Sequence, residues 1–377
     1  MHTDLPSGVD PNGLREYSVV FTDRALNHMS QRFQQVMRDL SAHLKTVYRA
    51  HAVALVPGGG TAGMEAVARQ FAQGRDVLVI RNGWFSYRWS QILEVGGMAA
   101  RATVLKARPM HAVHQSPFAP PPIDEVVAAI AEHTPDVVFA PHVETSCGML
   151  LPDDYLQRVA AAVHAHGGLF VLDCIASGAL WVDMQQVGVD VLISAPQKTW
   201  SSTPCAAMVM LSAQAEAWLG ATQSSSFTLD LAKWRGIMAA YENGGFAYHA
   251  TLPTDALAQL RDAMVETMGM GLENARDAQR ELGRNVRAVL ARRGFPSVAA
   301  EGFQAPGVVV SYTDDDAIHK GSAFAAQGLQ IAAGTPLACD EPADFKTFRI
   351  GLFGLDKLKD VDGTVQRLDE ALARIVG

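Results

Sequence analysis

The chain is expected to fold as an α/β protein. A large domain would carry a mostly parallel sheet between helices, followed by a smaller C-terminal α/β domain. Three observations carry this reading. Short apolar runs alternate with helical patterns from Ala52 to Leu211, which makes βαβ units. Polar and glycine-rich residues stand just past the ends of those runs, where an open α/β sheet collects its ligands. From Pro253 the pattern changes to a long helical stretch and then short strands, and 377 residues are enough for two cores. The expected division is an N-terminal segment over residues 1–25, a large domain over 26–253 and a small domain with its connecting helix over 254–377.

Composition narrows the function classes. Hydrophobic residues make up 49% of the chain, as in a globular protein. The formal charge of −8 argues against nucleic acid or an anionic membrane as partner, so any anion site must be locally positive. No apolar stretch approaches a membrane span, and the polar start, Met1 to Asn12, leads us to expect no secretory leader. The cysteines Cys147, Cys174, Cys205 and Cys339 are scattered, with neither metal-ligand spacing nor the density of a disulfide framework. A cytoplasmic, reduced protein is the expectation.

The elements follow in order. The segment through Arg24 is loop-like. Phe33, Val36, Met37, Leu40, Leu44 and Val47 give Met29 to Tyr48 a helical period. Ala52 to Val56 reads as a strand, Pro57-Gly58-Gly59-Gly60-Thr61 as a turn and Ala62 to Phe71 as a helix. Such a turn either binds an anion through backbone N–H groups and the helix N-terminus, or simply connects the two elements. Val77 to Ile80 is the next strand, and aromatic residues follow it at Trp84 and Phe85. Ala102 to Leu105 suits an edge strand, and Ala107 to Pro122 is a proline-rich loop, either a lid or an excursion. Helices over Ile123 to Glu132 and Asp154 to His166 bracket a strand at Val137 to Ala140, whose exit, His142 to Gly148, is dense in polar side chains. Leu169 to Leu172 is a strand ending in Asp173, and Val189 to Ile193 is a strand leading to Ser194-Ala195-Pro196-Gln197-Lys198-Thr199-Trp200. After the strand Ala206 to Leu211 come a serine-rich loop, a helix around Lys233 to Tyr241 and a hydroxyl-bearing loop, Gly244 to Thr251. Thr254 to Arg293 is helical with a break near Gly269 and Gly271. Strands at Val308 to Tyr312, Leu329 to Ala332 and Thr347 to Ile350 alternate with helices at Ala317 to Ala326 and Lys357 to Val376.

A lysine held at a strand exit loses hydration, and its amine then deprotonates more easily, as Schiff-base chemistry requires. Lys198 at one strand exit and Asp173 at another suit pyridoxal 5'-phosphate. The lysine would hold the aldehyde, and the carboxylate would pair the pyridine nitrogen and keep it protonated. The glycine turn would take the phosphate, and an aromatic ring would stack on the pyridine.

From about Met29 to its end the chain resembles the class V, fold-type I pyridoxal-phosphate aminotransferases, in particular the alanine (or serine)–glyoxylate enzymes. Val171-Leu172-Asp173-Cys174-Ile175-Ala176-Ser177, Ser194-Ala195-Pro196-Gln197-Lys198 and Phe348-Arg349-Ile350-Gly351-Leu352-Phe353-Gly354 carry the resemblance. It implies that Lys198 carries the cofactor and shuttles the proton while Asp173 pairs the ring nitrogen. Gly59, Gly60, Thr61 and Gln197 would hold the phosphate. Phe85 would stack on the ring, with Trp84 as the alternative, Thr145 would contact the ring near its phenolic oxygen, and Ile175 would be a further cofactor contact. Tyr248 and Thr251 would reach the phosphate of a neighbouring subunit, which implies a homodimer with shared sites. Arg349 would grip the substrate carboxylate, and its planar fork suits that task. The implied reaction is transamination between alanine or serine and glyoxylate or pyruvate.

Two features depart from that pattern. The phosphate turn is all glycine with Thr61 where relatives often place serine and histidine, and Ile331 to Asp340 brings Cys339 close to Arg349. Cys339 keeps a lyase of the same fold, resembling the cysteine desulfurases, as the alternative. Gln197 and Phe85 stand where those enzymes usually carry histidines. A non-catalytic scaffold would need neither Lys198 nor Asp173. A phosphoserine enzyme would need further cations, for which only His142 and His249 lie nearby in sequence.

Overall fold

The structure is a computed structural model and describes residues 9–376. The loop expected up to Arg24 is thus seen from Val9 onward. Seven strands make the central sheet: β1 (Ala52–Pro57), β2 (Asp76–Arg81), β3 (Arg101–Lys106), β4 (Val137–Pro141), β5 (Leu169–Asp173), β6 (Val191–Ser194) and β7 (Ala206–Leu211). Their order is β1-β7-β6-β5-β4-β2-β3. Only β7 runs against the others, pairing antiparallel with both β1 and β6. The exits of β1, β2, β4, β5 and β6 therefore share one edge of the sheet. β1, β4, β5, β6 and β7 are buried along nearly their whole length, as strands covered on both faces must be. Each fully buried valine, leucine or isoleucine there contributes roughly 1.5–3 kcal/mol.

The covering helices form for local reasons. Helix α1 (Gln31–Tyr48) is capped by the Ser30 hydroxyl, which accepts from the Phe33 N–H, and it stops at Arg49 in the left-handed region, φ 56°. Its predicted apolar stripe, Phe33 to Leu44, is buried. Helix α2 (Gly60–Phe71) starts two residues earlier than expected, so Gly60 belongs to its first turn. A Cβ at Gly63 would overlap that of Ala207, and this close approach seats α2 on β7. Helix α3 (Trp84–Val95) was not anticipated; its buried positions, Ser86, Trp89 and Leu93, do have helical spacing. Helices α4 (Ile123–His133) and α5 (Asp153–His164) fall within a residue or two of their expected bounds. Helix α6 (Ala213–Ala221) follows β7, and α7 (Leu231–Glu242) packs on β1 and α1.

The connecting helix is two helices, α8 (Thr254–Met270) and α9 (Leu272–Arg292). The break falls at Gly271, whose φ of 88° a side chain would strain. Beyond it, β8 (Val308–Tyr312), β9 (Ala332–Ala333) and β10 (Thr347–Gly351) form an antiparallel sheet in the order β8-β10-β9. Leu282, Val286, Phe348, Leu368 and Leu372 lie in the core of this unit, closed by α10 (Val361–Val376). The helix expected at Ala317 to Ala326 is two short turns, Asp316–His319 and Ser322–Ala325, separated by Gly321 at φ 80°. The strand expected at Leu329 to Ala332 shrinks to β9. The loop from Ala107 to Pro122 is tied down rather than free. The Phe118 N–H donates to the Val298 carbonyl, and the Tyr312 hydroxyl donates to the Ser116 carbonyl. A third cluster, including Phe118, Cys147, Val310 and Cys339, fills the seam between the two units.

Gly63→Ala should lower unfolding stability by about 1–3 kcal/mol, the usual cost of forcing extra volume into a packed contact. Urea unfolding followed by circular dichroism measures this. An unchanged midpoint would mean that α2 can lift from β7 freely.

Candidate active site

The shared edge brings five strand exits together. After β1, Gly58 turns the chain at φ 117°, and Gly59 leads into the first turn of α2. Nothing lies within 4 Å of a Cβ built on Gly59, whereas one on Gly60 would fall 2.5 Å from Ile175 Cδ1. A side chain at 60 would displace Ile175, and the first N–H groups of a three-turn helix, Gly60 and Thr61, lead the turn where an anion is favoured. Thr61 is exposed, and its hydroxyl accepts from Arg88 Nη1 at 3.1 Å.

After β2, the chain enters α3 through Gly83. Its first turn is capped by a side chain from elsewhere, the carboxylate of Glu144. Glu144 accepts from the Phe85 N–H (3.2 Å), the Ser86 N–H (2.8 Å), the Ser86 hydroxyl (2.7 Å), the Ser146 N–H (3.0 Å) and the Ser146 hydroxyl (2.7 Å). It is 1% exposed, so these bonds replace its hydration. A Cβ at Gly83 would overlap Ser146 Oγ, so the approach requires glycine there.

This cap fixes the Phe85 ring. Lys198 Nζ lies 6.0 Å from the ring centroid, Arg88 Cζ 4.7 Å and Arg349 Cζ 5.5 Å. Trp84 packs instead on Tyr87, 5.6 Å between centroids. Phe353 provides a second ring, 5.8 Å from Lys198 Nζ.

Lys198 stands on a single helical turn, Pro196–Thr199, directly after β6, with Gln197 exposed beside it. Burial pushes its pKa down, Asp173 opposes this, and Arg88 and Arg349 add to it. Asp173 ends β5 and accepts from the Ile175 N–H at 2.9 Å. Burial raises its pKa from 3.8 to about 6, against that hydrogen bond and the charge of Lys198. The two groups sense each other but form no ion pair among the described residues. Thr145, after β4, is buried, and its hydroxyl has no partner among the described residues. Arg349 is half-buried in the middle of β10, its Nε donating to the Ala333 carbonyl at 2.8 Å.

Tyr248 and Thr251 stay apart from this group. Their hydroxyls bond each other at 3.2 Å on an exposed loop. Burial pushes His142 down to about 4, and the His249 ring is held against the Phe227 carbonyl at 2.8 Å. Cys339 is buried in the seam against the Arg81 carbonyl, and burial pushes its thiol up to about 12. Such a thiol neither reaches the cleft nor ionises near neutrality.

Glu144, Arg88 and Phe353 were missed in the sequence. Arg88 lies three residues after Phe85, on the same face of α3, so recognising that helix would have found it. Glu144 was visible only as one polar residue in a polar exit.

These residues fit pyridoxal phosphate. A buried carboxylate with a raised pKa asks for a cationic partner such as a protonated ring nitrogen. An unpartnered hydroxyl, a helix N-terminus, a desolvated amine and an aromatic face surround the same space.

Comparison with known proteins agrees. The aminotransferase class-V family matches residues 14–362. The chain is 26% identical to the alanine–glyoxylate aminotransferase of Rattus norvegicus, over 97% of this chain and 86% of that one. It is 29% identical to the 2-aminoethylphosphonate–pyruvate transaminase of Paraburkholderia phymatum, over 94% and 90%. The crystal structure of an alanine–glyoxylate aminotransferase from Nostoc sp. superposes with a TM-score of 0.79 at 22% identity, covering 93% of this chain and 89% of that one.

Two predictions follow from the electrostatics. Glu144→Gln should destabilise the protein by about 1–3 kcal/mol and weaken cofactor binding, because the amide turns a donor toward donors; thermal melting and a cofactor titration read both. For Asp173, the folded pKa lies above the unfolded one, so ionisation costs stability as pH rises from about 4 through about 6. Cofactor-free Asp173→Asn should melt above the wild type at pH 8, with the gap closing as pH falls to 4. A gap independent of pH would refute the assignment.

Proposed function

The chain belongs to the class-V aminotransferases, pyridoxal-phosphate enzymes that exchange an amino group between an amino acid and a 2-oxo acid, and on that premise we propose that its donor is alanine or serine and its acceptor glyoxylate or pyruvate. The carrying observation is the convergence of Lys198, Phe85 and Arg349, with both the amine and the guanidinium within 6.0 Å of one ring centroid.

When bound, the cofactor supplies an electron sink for the carbanion formed at the substrate Cα. The chain's residues do the rest. Asp173 would pair the ring nitrogen, and Thr145 would bond the ring's edge. Gly59, Gly60, Thr61 and Gln197 would hold the phosphate, and Phe85 and Ile175 would contact the ring. Arg349 would take the substrate carboxylate bidentately and thereby orient the Cα–H bond. Lys198, its amine favoured by burial, would take that proton at Nζ and hold it for the 1,3-transfer.

The same reading includes a homodimer. Tyr248 and Thr251 have no role in their own cleft, and Phe227, Phe246 and Tyr248 are 76%, 47% and 53% exposed. An exposed apolar patch of this kind suits a second copy of the chain, whose cleft the two hydroxyls would complete. A reducing, cytoplasmic location is in keeping with four free, buried cysteines.

The test is an absorbance titration of the cofactor-loaded protein with single amino acids and no 2-oxo acid. Alanine or serine should bleach the visible cofactor band stoichiometrically. A response confined to 2-aminoethylphosphonate would overturn the proposed donor, and release of sulfide would overturn transamination. Lys198→Ala should lower kcat by about 10²–10⁴-fold or more. Arg349→Gln should lower kcat/KM for carboxylate substrates by about 10–100-fold. Cys339→Ser should leave activity intact, and an inactive, folded variant would restore the lyase alternative. Sedimentation should give a dimer.

A further inference from the structure

A cavity of about 580 Å³ lies between α9, the segment entering α5 and the segment following β5. Arg276, Arg280, Arg284 and Arg287 of α9 all line it. Their spacing, i, i+4, i+8 and i+11, places them within an arc of about 80° and along about 16 Å of helix. Asp153 and Asp154 are the acidic residues facing them. Arg276 is bonded to its neighbour Asp277 at 3.1 Å. Arg280 and Arg284 have no hydrogen bond or ion pair among the described residues. Arg287 donates to the Ala305 and Val308 carbonyls, while its buried Nε has no partner among the described residues. Burial without a counter-charge lowers the Arg287 pKa to about 10.

A stripe of four like charges on one helix face is self-repelling, and here it occurs in a chain of net charge −8. The volume is that of a metabolite site. Trp181 also lines it.

We propose that this cavity is a second binding site, for an elongated molecule carrying oxyanions at more than one position, as phosphoryl or carboxylate groups. Guanidinium forks bind both groups bidentately, and successive arginines lie about 4.5–6 Å apart along the helix. The site adjoins the reacting residues. Trp181 packs on Trp200 with 4.7 Å between centroids, and the Trp200 N–H closes the turn that carries Lys198 by donating to the Pro196 carbonyl at 3.0 Å. Indole fluorescence therefore reports on it.

The experiment uses the cofactor-saturated enzyme at low salt, so that the phosphate position of the cofactor is filled. Sodium tripolyphosphate and, separately, citrate are titrated by calorimetry and by tryptophan fluorescence. One saturable site per chain is expected, weakened about tenfold or more in Arg280→Gln/Arg284→Gln, two exposed positions whose change spares the fold. Binding of tripolyphosphate alone would identify phosphoryl groups, and binding of citrate alone would identify carboxylates. The absence of saturable binding by either probe would overturn the proposal. So would an affinity unchanged in the variant, or binding that displaces the cofactor.

Discussion

The geometry of the cleft depends on one buried carboxylate. Glu144 accepts five hydrogen bonds, two of them from N–H groups in the first turn of α3. It thereby links the exit of β4 to the exit of β2, two neighbouring strands. Helix termini leave donors unsatisfied, and a dry site gives them no water. The cap therefore does two things at once. It lets α3 begin inside the protein, and it sets the Phe85 ring beside Lys198. Gly83 is a consequence of that arrangement, because only a residue without Cβ fits against Ser146.

Burial then acts on the two ionisable groups in opposite senses. It raises Asp173 and lowers Lys198, moving both toward their neutral forms. Were they in contact, each would cancel the other's shift. Their separation keeps the amine available as a base and leaves the carboxylate for a cation that the protein itself does not provide. The two cationic side chains around Phe85, Arg88 and Arg349, add to the pressure on Lys198.

The large sheet was legible because its strands are apolar runs buried on both faces, and the exits could be placed on one edge once the strands were parallel. Lys198, Asp173, the glycine turn and the aromatic pair were found by that placement, and the family resemblance singled out Gly60 and Phe85 within them. Elements without such a signature were not. Helix α3 has an aromatic-rich start and only three fully buried positions, so its period is faint. The stretch Ala317 to Ala326 has helical composition, yet Gly321 at φ 80° divides it. Glu144 acts through a contact 58 and 59 residues away in the chain, which no local pattern records. Cys339 looked close to Arg349 in sequence, but the backbone turns it into the seam, where the carbonyl of Arg81 accepts its thiol.

The residues proposed for the cofactor and the residue proposed for the substrate carboxylate rest on different cores. Lys198, Asp173, Gly60 and Phe85 stand at strand exits of the seven-stranded sheet, whereas Arg349 stands on β10, in a unit with its own apolar interior. Changes around β9, β10 and the segment between them would bear first on how the carboxylate is held, and reach Lys198 only through the charge of Arg349. Carboxylate recognition and proton transfer are thus anchored in separate interiors and brought together at the cleft.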